Sequence, residues 1–562
     1  MKSKVCYVMA IGAALALSSC GKKLGQFSSD NFTVNPNPLE VVGQNVPAQI
    51  TARVPAKFFL QNAQVTVTPY LVYNGTETAS QSYAFQGEKV RGNAPVVSYE
   101  YGGTFNIPAK FEYKPEMSKS ELELAFTVTQ GNKQYVLPRV KVADGVIATA
   151  AMADAATVNP ALATDAFQRI INEKYAADIM FLINQANIRA NQLNTDAMVE
   201  LRKEIINAAG ADNKVIEELN IKSYASPDGG MAINERLAEN REKNTTSYLK
   251  DQLKKDKITE FGELTAQFTP EDWEGFQKLV SQSNIQDKDL ILSVLSMYKD
   301  PEQREREIRN LSNVFEQLAD QILPQLRYSR ITASINVIGK SDAEISNLAA
   351  TNPQALNVEE LLYAATLTDD NEARMKIYDT AVRLFPNDYR TWNDLGMTQY
   401  IDGDYKAAEA SFKKAASLAG SNNEPSMNLG LIELVNGNYS KADQLFGSAA
   451  GVSELNDALG VYYLKTGDNT AAVRAFGDSK SNNAALAQIL TKDYSKAKQT
   501  LAGISTPDAT TYYLMAVLGA RTNNESMLNT NLRQAIRLDS KLADAARNDL
   551  EFAGFNLSKA LN

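Results

Sequence analysis

The chain contains no histidine and two cysteines, Cys6 and Cys20. Without an imidazole, the Ser-His-Asp and Cys-His arrangements, most zinc sites and the usual general base at neutral pH are excluded. A Ser-x-x-Lys spacing, the layout of some amine-activated serine nucleophiles, occurs at Ser411-Phe412-Lys413-Lys414. It falls inside a helical repeat described below, where packing accounts for it. No Asp-x-[Asp/Asn]-x-[Asp/Asn]-Gly run with calcium-loop spacing is present. The sequence therefore predicts no catalytic residue, no metal, no cofactor and no enzyme. The side chain with distinctive chemistry is the Cys20 thiol, set in Leu17-Ser18-Ser19-Cys20-Gly21-Lys22-Lys23.

Residues 1–19 carry Lys2 and Lys4, an apolar run from Val5 to Leu17, then small residues. That is the three-part layout of a secretory signal, too short for a membrane span. Leu17-Ser18-Ser19-Cys20 resembles the bacterial lipobox. The resemblance implies that Cys20 becomes the first residue and takes a diacylglycerol on sulfur, an anchor of several acyl chains that holds firmly in a bilayer. Residues 20–30 are then a tether. Cys6 departs with the signal, so the mature chain is expected to have no disulfide and to rely on packing. With 57 basic against 66 acidic residues the chain is acidic, which disfavours nucleic acid as a partner. No acidic residue follows Cys20 directly, so the lipobox resemblance implies the periplasmic face of the outer membrane, with the cell surface left open.

The elements that must be positioned by this anchor fall into distinct stretches. Residues 31–145 alternate with a period of two, as in Leu122, Leu124, Phe126 and Val128 before Gly131, and predict an antiparallel β-sandwich. Residues 146–167 are Ala-rich with Pro160 and weak periodicity, which predicts a linker or a loosely docked segment. Residues 168–338 mix strand and helix. Asp178–Arg189 reads as a strand. A helix capped by Thr195 or Asn194 lines Met198, Leu201, Ile205 and Ile206 on one face. Another helix starts at Thr269-Pro270, and a strand places Ile331, Ala333, Ile335 and Val337 on one face. Residues 339–354 are expected to be a second linker.

From about 355 the chain repeats itself. Leu395-Gly396, Leu429-Gly430 and Leu459-Gly460 recur, and Gly403, Gly437 and Gly467 follow seven residues after those glycines. Gly396 to Gly430, Phe412 to Phe446 and Ala415 to Ala449 are each 34 residues. Small residues at fixed positions let paired helices approach, and Tyr400, Phe412 and Phe446 fill the gaps. The pattern resembles the tetratricopeptide repeat, through Trp392, Leu395, Gly396, Ala408, Phe412 and Ala415 in one unit and Leu429, Gly430, Ala442, Phe446 and Ala449 in the next. An earlier unit at 355–388 has Tyr378, Ala381 and Pro386 in phase. Weaker units follow to residue 540, and 541–562 is expected to be a capping helix. The resemblance implies an all-α solenoid that binds protein partners.

The stretch from Ile221 to Leu249 carries another resemblance, to the OmpA-like, peptidoglycan-associated domain: a strand, a Gly/Pro turn, then Asn234, Leu237 and Arg241 on the following helix. The family's βαβαβ fold is implied for 168–338, with a helical insertion between about Pro270 and Leu326. In that family a turn Asp and the helix Arg hold the diaminopimelate of the cell wall, by an ammonium contact and a bidentate carboxylate pair. The Arg matches Arg241, but Ser226 stands where the Asp is expected, with Asp228 two residues on. Ser226-Pro227-Asp228-Gly229 is also a good β-turn on its own. Together these expectations describe a multidomain lipid-anchored scaffold for proteins of an outer-membrane complex, with a peptidoglycan tether as the alternative.

Overall fold

The computed structural model describes residues 24–285, 287–310 and 312–561. The predicted signal segment and the lipidation position Cys20 lie outside the described residues. The chain forms two compact units. Residues 165–368 make one of them, inserted in sequence between the two parts of the other, 1–164 and 369–562.

The first part of the discontinuous unit is built of strands β1 (Phe32–Asn35), β2 (Leu39–Glu40), β3 (Asn45–Val54), β4 (Ala63–Tyr73), β5 (Thr76–Ala79), β6 (Tyr83–Gly87), β7 (Val96–Val97), β8 (Gly103–Glu112), β9 (Ser120–Gln130), β10 (Lys133–Asp144) and β11 (Val146–Ile147). One sheet has the order β1-β3-β8 and another β10-β9-β4-β6-β7, with β5 on β4. The alternation predicted for β9 is present: Leu122, Leu124, Phe126 and Val128 are buried. They join Val46, Ile50, Ile107 and Phe111 of the other sheet in a common core. The expected purely antiparallel pairing is not what forms. β6 pairs with β7, and β2 with β11, in parallel. A parallel pair needs a long crossover, and the chain from β2 to β11 supplies one by running through both sheets.

The inserted unit contains β12 (Ile170–Met180), α1 (Asp196–Ala209), β13 (Lys214–Tyr224), α2 (Met231–Lys255), β14 (Glu263–Thr269), α3 (Trp273–Gln282), α4 (Lys288–Met297), α5 (Pro301–Asn310), α6 (Ser312–Gln321), β15 (Tyr328–Ile338), α7 (Asp342–Thr351) and α8 (Val358–Thr366). Its sheet has the order β12-β15-β13-β14, parallel only between β13 and β14. Thr195 caps α1, and Met198, Leu201 and Ile205 face the core, while Ile206 points outward. On β15, Ile331, Ala333 and Ile335 are buried. The α3–α6 helices have a core of their own, including Phe276, Ile291 and Leu318.

Several expected boundaries move. The strand expected at Asp178–Arg189 lies earlier, at β12, whose first residues are exposed and so lack an apolar alternation. Thr269 does not start a helix; it ends β14, its carbonyl accepting from Ala225 N–H at 3.2 Å. Asp272 caps α3 instead, accepting from Gly275 N–H at 2.8 Å. The stretch 339–354 is not merely a linker, since Ser341 caps α7 by accepting from Glu344 N–H. The repeat expected at 355–388 straddles the unit boundary, with α8 in the insertion and the helix at Asn371–Leu384 in the other unit.

Beyond residue 369 the discontinuous unit is helical: α9 (Asn371–Leu384), then paired helices α10/α11 (Tyr389–Ile401, Tyr405–Leu418), α12/α13 (Glu424–Val435, Tyr439–Gly447), α14/α15 (Leu455–Thr466, Asn469–Phe476), α16/α17 (Asn482–Leu490, Tyr494–Ala502) and α18/α19 (Ala509–Arg521, Glu525–Leu538). The last segment is not one capping helix. It breaks into α20 (Leu542–Asn548), a 3-10 turn at Leu550–Phe552 and α21 (Ser558–Leu561), because the Asp549 carboxylate caps the turn and Phe552 is buried beneath it.

A single steric motif sets the approach of the paired helices. A Cβ built on Gly396, Gly430 or Gly460 would lie 2.7, 2.5 and 2.5 Å from the rings of Phe412, Phe446 and Phe476 respectively. Each ring lies against a bare glycine backbone, which no larger residue permits. Gly403, Gly437 and Gly467 make the turns between paired helices, with φ of +83°, +77° and +92°, where glycine alone is unstrained.

Gly430→Ala should therefore destabilise the chain by about 1–3 kcal/mol through overpacking. Phe446→Leu in the same chain should recover part of that loss, a coupling measurable as a double-mutant cycle in urea unfolding followed by circular dichroism. Strictly additive losses would show that the contact is not what limits helix approach.

Candidate functional site

The Ala-rich segment expected to link the domains is held against the first helices of the repeat pairs. Two single 3-10 turns, Thr149–Met152 and Ala155–Thr157, lead into a run without regular secondary structure through Thr164. Ala153, Ala155, Val158, Pro160, Ala161 and Ala163 are buried, and Ala153, Ala155, Val158 and Ala161 belong to the core of the array itself. The segment is called the strap below.

The strap is gripped by its backbone. Asn428 on α12 accepts from Ala161 N–H at 2.7 Å through Oδ1 and donates to Ala161 C=O at 2.9 Å through Nδ2. Asn393 on α10 donates to the same carbonyl at 2.9 Å. Asn393 Oδ1 in turn accepts from Asn428 Nδ2 at 3.0 Å. Asp394 Oδ1 accepts from Ala163 N–H at 2.9 Å and from Asn393 Nδ2 at 3.1 Å. Further along, Asn483 on α16 treats Asp154 in the same two-pronged way, accepting its N–H and donating to its C=O, both at 2.9 Å. The same Nδ2 donates to Thr157 Oγ1 at 2.9 Å. Tyr400, expected only to fill space, also donates its hydroxyl to Ala155 C=O at 2.8 Å. A Thr149 hydroxyl bonds Glu551, which is paired to Arg521.

Asn393, Asn428 and Asp394 are at most 1 % exposed. Buried amides and carboxyls that lack partners are costly, so this row of side chains requires a ligand, and the strap is that ligand. Burial pushes the Asp394 carboxyl up to about 8, against the bonds from Ala163 and Asn393 and the nearby Arg390, with Asp388 reinforcing the rise. The sequence reading passed over Asn393, Asp394, Asn428 and Asn483. Their signal is a polar amide or carboxyl within otherwise small and apolar first helices, as in Trp392-Asn393-Asp394-Leu395-Gly396 and Met427-Asn428-Leu429-Gly430.

The residues predicted from the repeat pattern serve packing. Leu395, Gly396, Ala408, Phe412, Ala415, Gly430, Ala442, Phe446 and Ala449 are buried, and Leu429 is half-buried. Trp392 is half-buried and donates Nε1–H to Pro386 C=O at 2.9 Å. Ser411 of the Ser-x-x-Lys run donates to Gln399 at 2.8 Å.

In the inserted unit the structure gathers Ser226, Asp228, Asn234 and Arg241 around the turn after β13, where each is engaged by the chain itself. Arg241 is 1 % exposed. Its guanidinium donates to three carbonyls, those of Tyr224 at 2.7 Å, Gln185 at 3.1 Å and Leu182 at 3.3 Å, with Phe181 stacked 5.0 Å away. Burial and the like charge of Arg327 pull its pKa down to about 10, with Asp228 opposing. Asp228 accepts from Arg327 at 2.7 Å and from Ser226 Oγ at 2.6 Å. Arg327 also donates to Ser226 at 3.0 Å. Asn234 donates to Gly229 C=O at 2.7 Å and to Glu271 at 3.2 Å. Arg309 of the insertion helices donates to Asp228 C=O, and Pro227 lines a small cavity with Trp273, Phe276 and Phe315. Among the described residues no group of three or more acidic or cysteine side chains is placed to hold a metal.

Residues 389–422 match the tetratricopeptide repeat family. That span is α10, α11 and the turn after them, so the helical part of the chain contains a tetratricopeptide-type array. No curated protein matches the chain. Among solved structures it is similar to the Cut9–Hcn1 hetero-tetramer of the APC/C, at 15 % identity over 65 % of this chain and 82 % of that one, with a TM-score of 0.32. It is also similar to a tetratricopeptide repeat protein from Parabacteroides merdae, at 12 % identity over 46 % of this chain and 98 % of that one, with a TM-score of 0.30. The Pseudomonas aeruginosa protein pilF aligns at 16 % identity over 36 % and 95 % of the two chains, with a TM-score of 0.28.

Two outcomes follow from this geometry. A carboxyl raised on folding contributes stability that is complete below its ordinary value of 3.8 and is lost as pH climbs through about 8. Asp394→Asn keeps an oxygen for Ala163 N–H and stays neutral, so its thermal midpoint should fall less than that of the parent chain between pH 5 and 9. A gap that does not widen with pH would contradict this. Arg241→Ala strands three buried carbonyls and should cost roughly 1–3 kcal/mol for each partner left unmade. The loss should appear in urea unfolding, with faster hydrogen exchange in residues 182–189.

Proposed function

We propose that the protein is a lipid-anchored, non-enzymatic scaffold that gathers protein partners at the periplasmic face of the outer membrane. The observation that carries this reading is the array whose buried amides hold a polypeptide by its N–H and C=O groups. That is protein-binding equipment, and a protein–protein interaction role is what tetratricopeptide arrays supply. The anchor is the proposed diacylglycerol on Cys20, and the two-sheet domain, taken as a β-sandwich, adds another surface for docking. The order β12-β15-β13-β14, with α1 and α2 between successive strands, supports reading the inserted unit as an OmpA-like scaffold.

A peptidoglycan tether through Arg241 stands second, and the packing argues against it. A ligand carboxylate would have to displace three backbone carbonyls from a buried guanidinium, and the Asp228 charge that should meet an ammonium is already neutralised by Arg327.

The test is fractionation and reciprocal co-purification. The full chain should sediment with outer membranes, with a mass showing acylated Cys20, and Cys20→Ala should shift it to the soluble fraction. The same envelope proteins should be recovered with tags on either partner. An unacylated protein with no reciprocal partner, or one retained by purified cell wall in a manner abolished by Arg241→Lys, would overturn the scaffold reading.

A further inference from the structure

We propose that residues 154–163 are a resident pseudo-ligand of a backbone-reading peptide groove, and that a partner segment with small side chains enters by displacing them. This rests on the scaffold reading and specifies what the array accepts.

The groove selects conformation and size rather than identity. At Ala161 both backbone groups are taken by amide side chains, N–H by Asn428 and C=O by Asn428 and Asn393. At Asp154 the same pairing is made by Asn483 alone. The grip at Ala161 bonds no strap side chain, while Asn483 also reaches the Thr157 hydroxyl. Any residue presenting an N–H and a C=O in the same orientation satisfies these amides. Size is read separately. Ala155, Ala161 and Ala163 are 5, 0 and 1 % exposed, so their Cβ atoms touch the groove and a longer side chain has no room. Between them Ala156, Asn159 and Thr164 are exposed and unconstrained. A fitting partner segment therefore follows the strap's backbone path, a 3-10 turn and then an unpaired run, with alanine-sized residues at the positions matching Ala155, Ala161 and Ala163, and with free choice at the solvent-facing ones.

The resident occupies the site without being covalently unique to it. Its hold is a handful of hydrogen bonds plus the buried side chains of Ala155, Val158, Pro160, Ala161 and Ala163, and every one of those bonds but that to the Thr157 hydroxyl is available to an incoming backbone. A partner present in excess, or tethered nearby on the same membrane, exchanges with the strap one residue at a time.

The experiment uses the full chain in detergent and, as probe, a fluorescein-labelled peptide of residues 152–164. Two variants open the groove. In one, Ala163→Arg expels the strap by bulk at the end held by Asp394. In the other, Ala161→Arg expels the strap by bulk while leaving every groove side chain intact. The peptide should bind both variants at least a hundredfold more tightly than the parent chain. Asn428→Ala added to the Ala163→Arg variant should weaken binding tenfold or more. Equal binding to parent and variants, or no binding to a variant that keeps the parent's circular dichroism spectrum, overturns the proposal. Hydrogen exchange on the unmodified chain decides the matter even if both variants misfold. The Ala161 and Ala163 amides should exchange through local opening, well before Leu431 in the array core, and protection equal to Leu431 overturns displacement. A chain that recovers envelope partners but refuses the peptide sinks this inference alone. A chain that takes the peptide but recovers no partner sinks the scaffold reading alone.

Discussion

A buried amide must be hydrogen-bonded, and that requirement organises the discontinuous unit. Asn393, Asn428 and Asn483 sit inside first helices whose other inward residues are mostly small or apolar, with Asp394, Glu433 and Gln488 the larger polar exceptions. Left alone, each would strand a donor and an acceptor in a medium that cannot solvate them. An isolated array of these helices would therefore be poorly satisfied. The strap removes the deficit by offering backbone groups that a run without regular secondary structure does not pair with itself. The polar row and the strap are thus two halves of one structure, and the array and the segment between β11 and β12 fold as parts of the same unit.

A different constraint acts at right angles to this one. The Gly396–Phe412, Gly430–Phe446 and Gly460–Phe476 contacts fix how closely the paired helices lie, and that spacing positions successive first helices so that their amides line up along a single strand of polypeptide. Ring-on-glycine contacts are apolar and local, formed within a pair by residues sixteen apart. The amide contacts are polar and remote: Ala161 to Asn428 spans 267 residues. Closing such a contact costs entropy that grows only logarithmically with the intervening chain, about 0.6 kcal/mol per doubling. A folded domain inserted between strap and array is consequently tolerable.

The parts of the chain legible in the sequence were those whose side chains carry a period. Leu122 to Val128 show two-residue alternation because one face is buried, and the Leu-Gly repeats show a spacing of 34 because the same sterics recur. The strap has no such period. It is recognised through backbone groups, which every residue has, so its composition signals only that its side chains are small. The same blindness hid Arg241's role. Its place on the helix could be aligned to a family motif, but its partners are carbonyls of Leu182, Gln185 and Tyr224, and carbonyls leave no trace in a sequence. The stretch between β14 and β15 was legible as helical from its length, while its first cap, Asp272 rather than Thr269, and its closing over Pro227 were not.

The turn after β13 shows how polar and charged side chains at a turn are satisfied by the chain itself. Ser226 carries no charge, and the carboxylate of the turn stands at Asp228, two residues later. That charge then meets Arg327, an internal partner contributed just ahead of β15, rather than a cation from outside. With Asp228 paired to Arg327, Arg241 makes no ion pair among the described residues and turns to the loop that follows β12. There it satisfies carbonyls that fall outside the sheet because β12 ends at Met180. Asp228, Ser226 and Arg327 thus close on one another, and Arg241 is spent on backbone carbonyls.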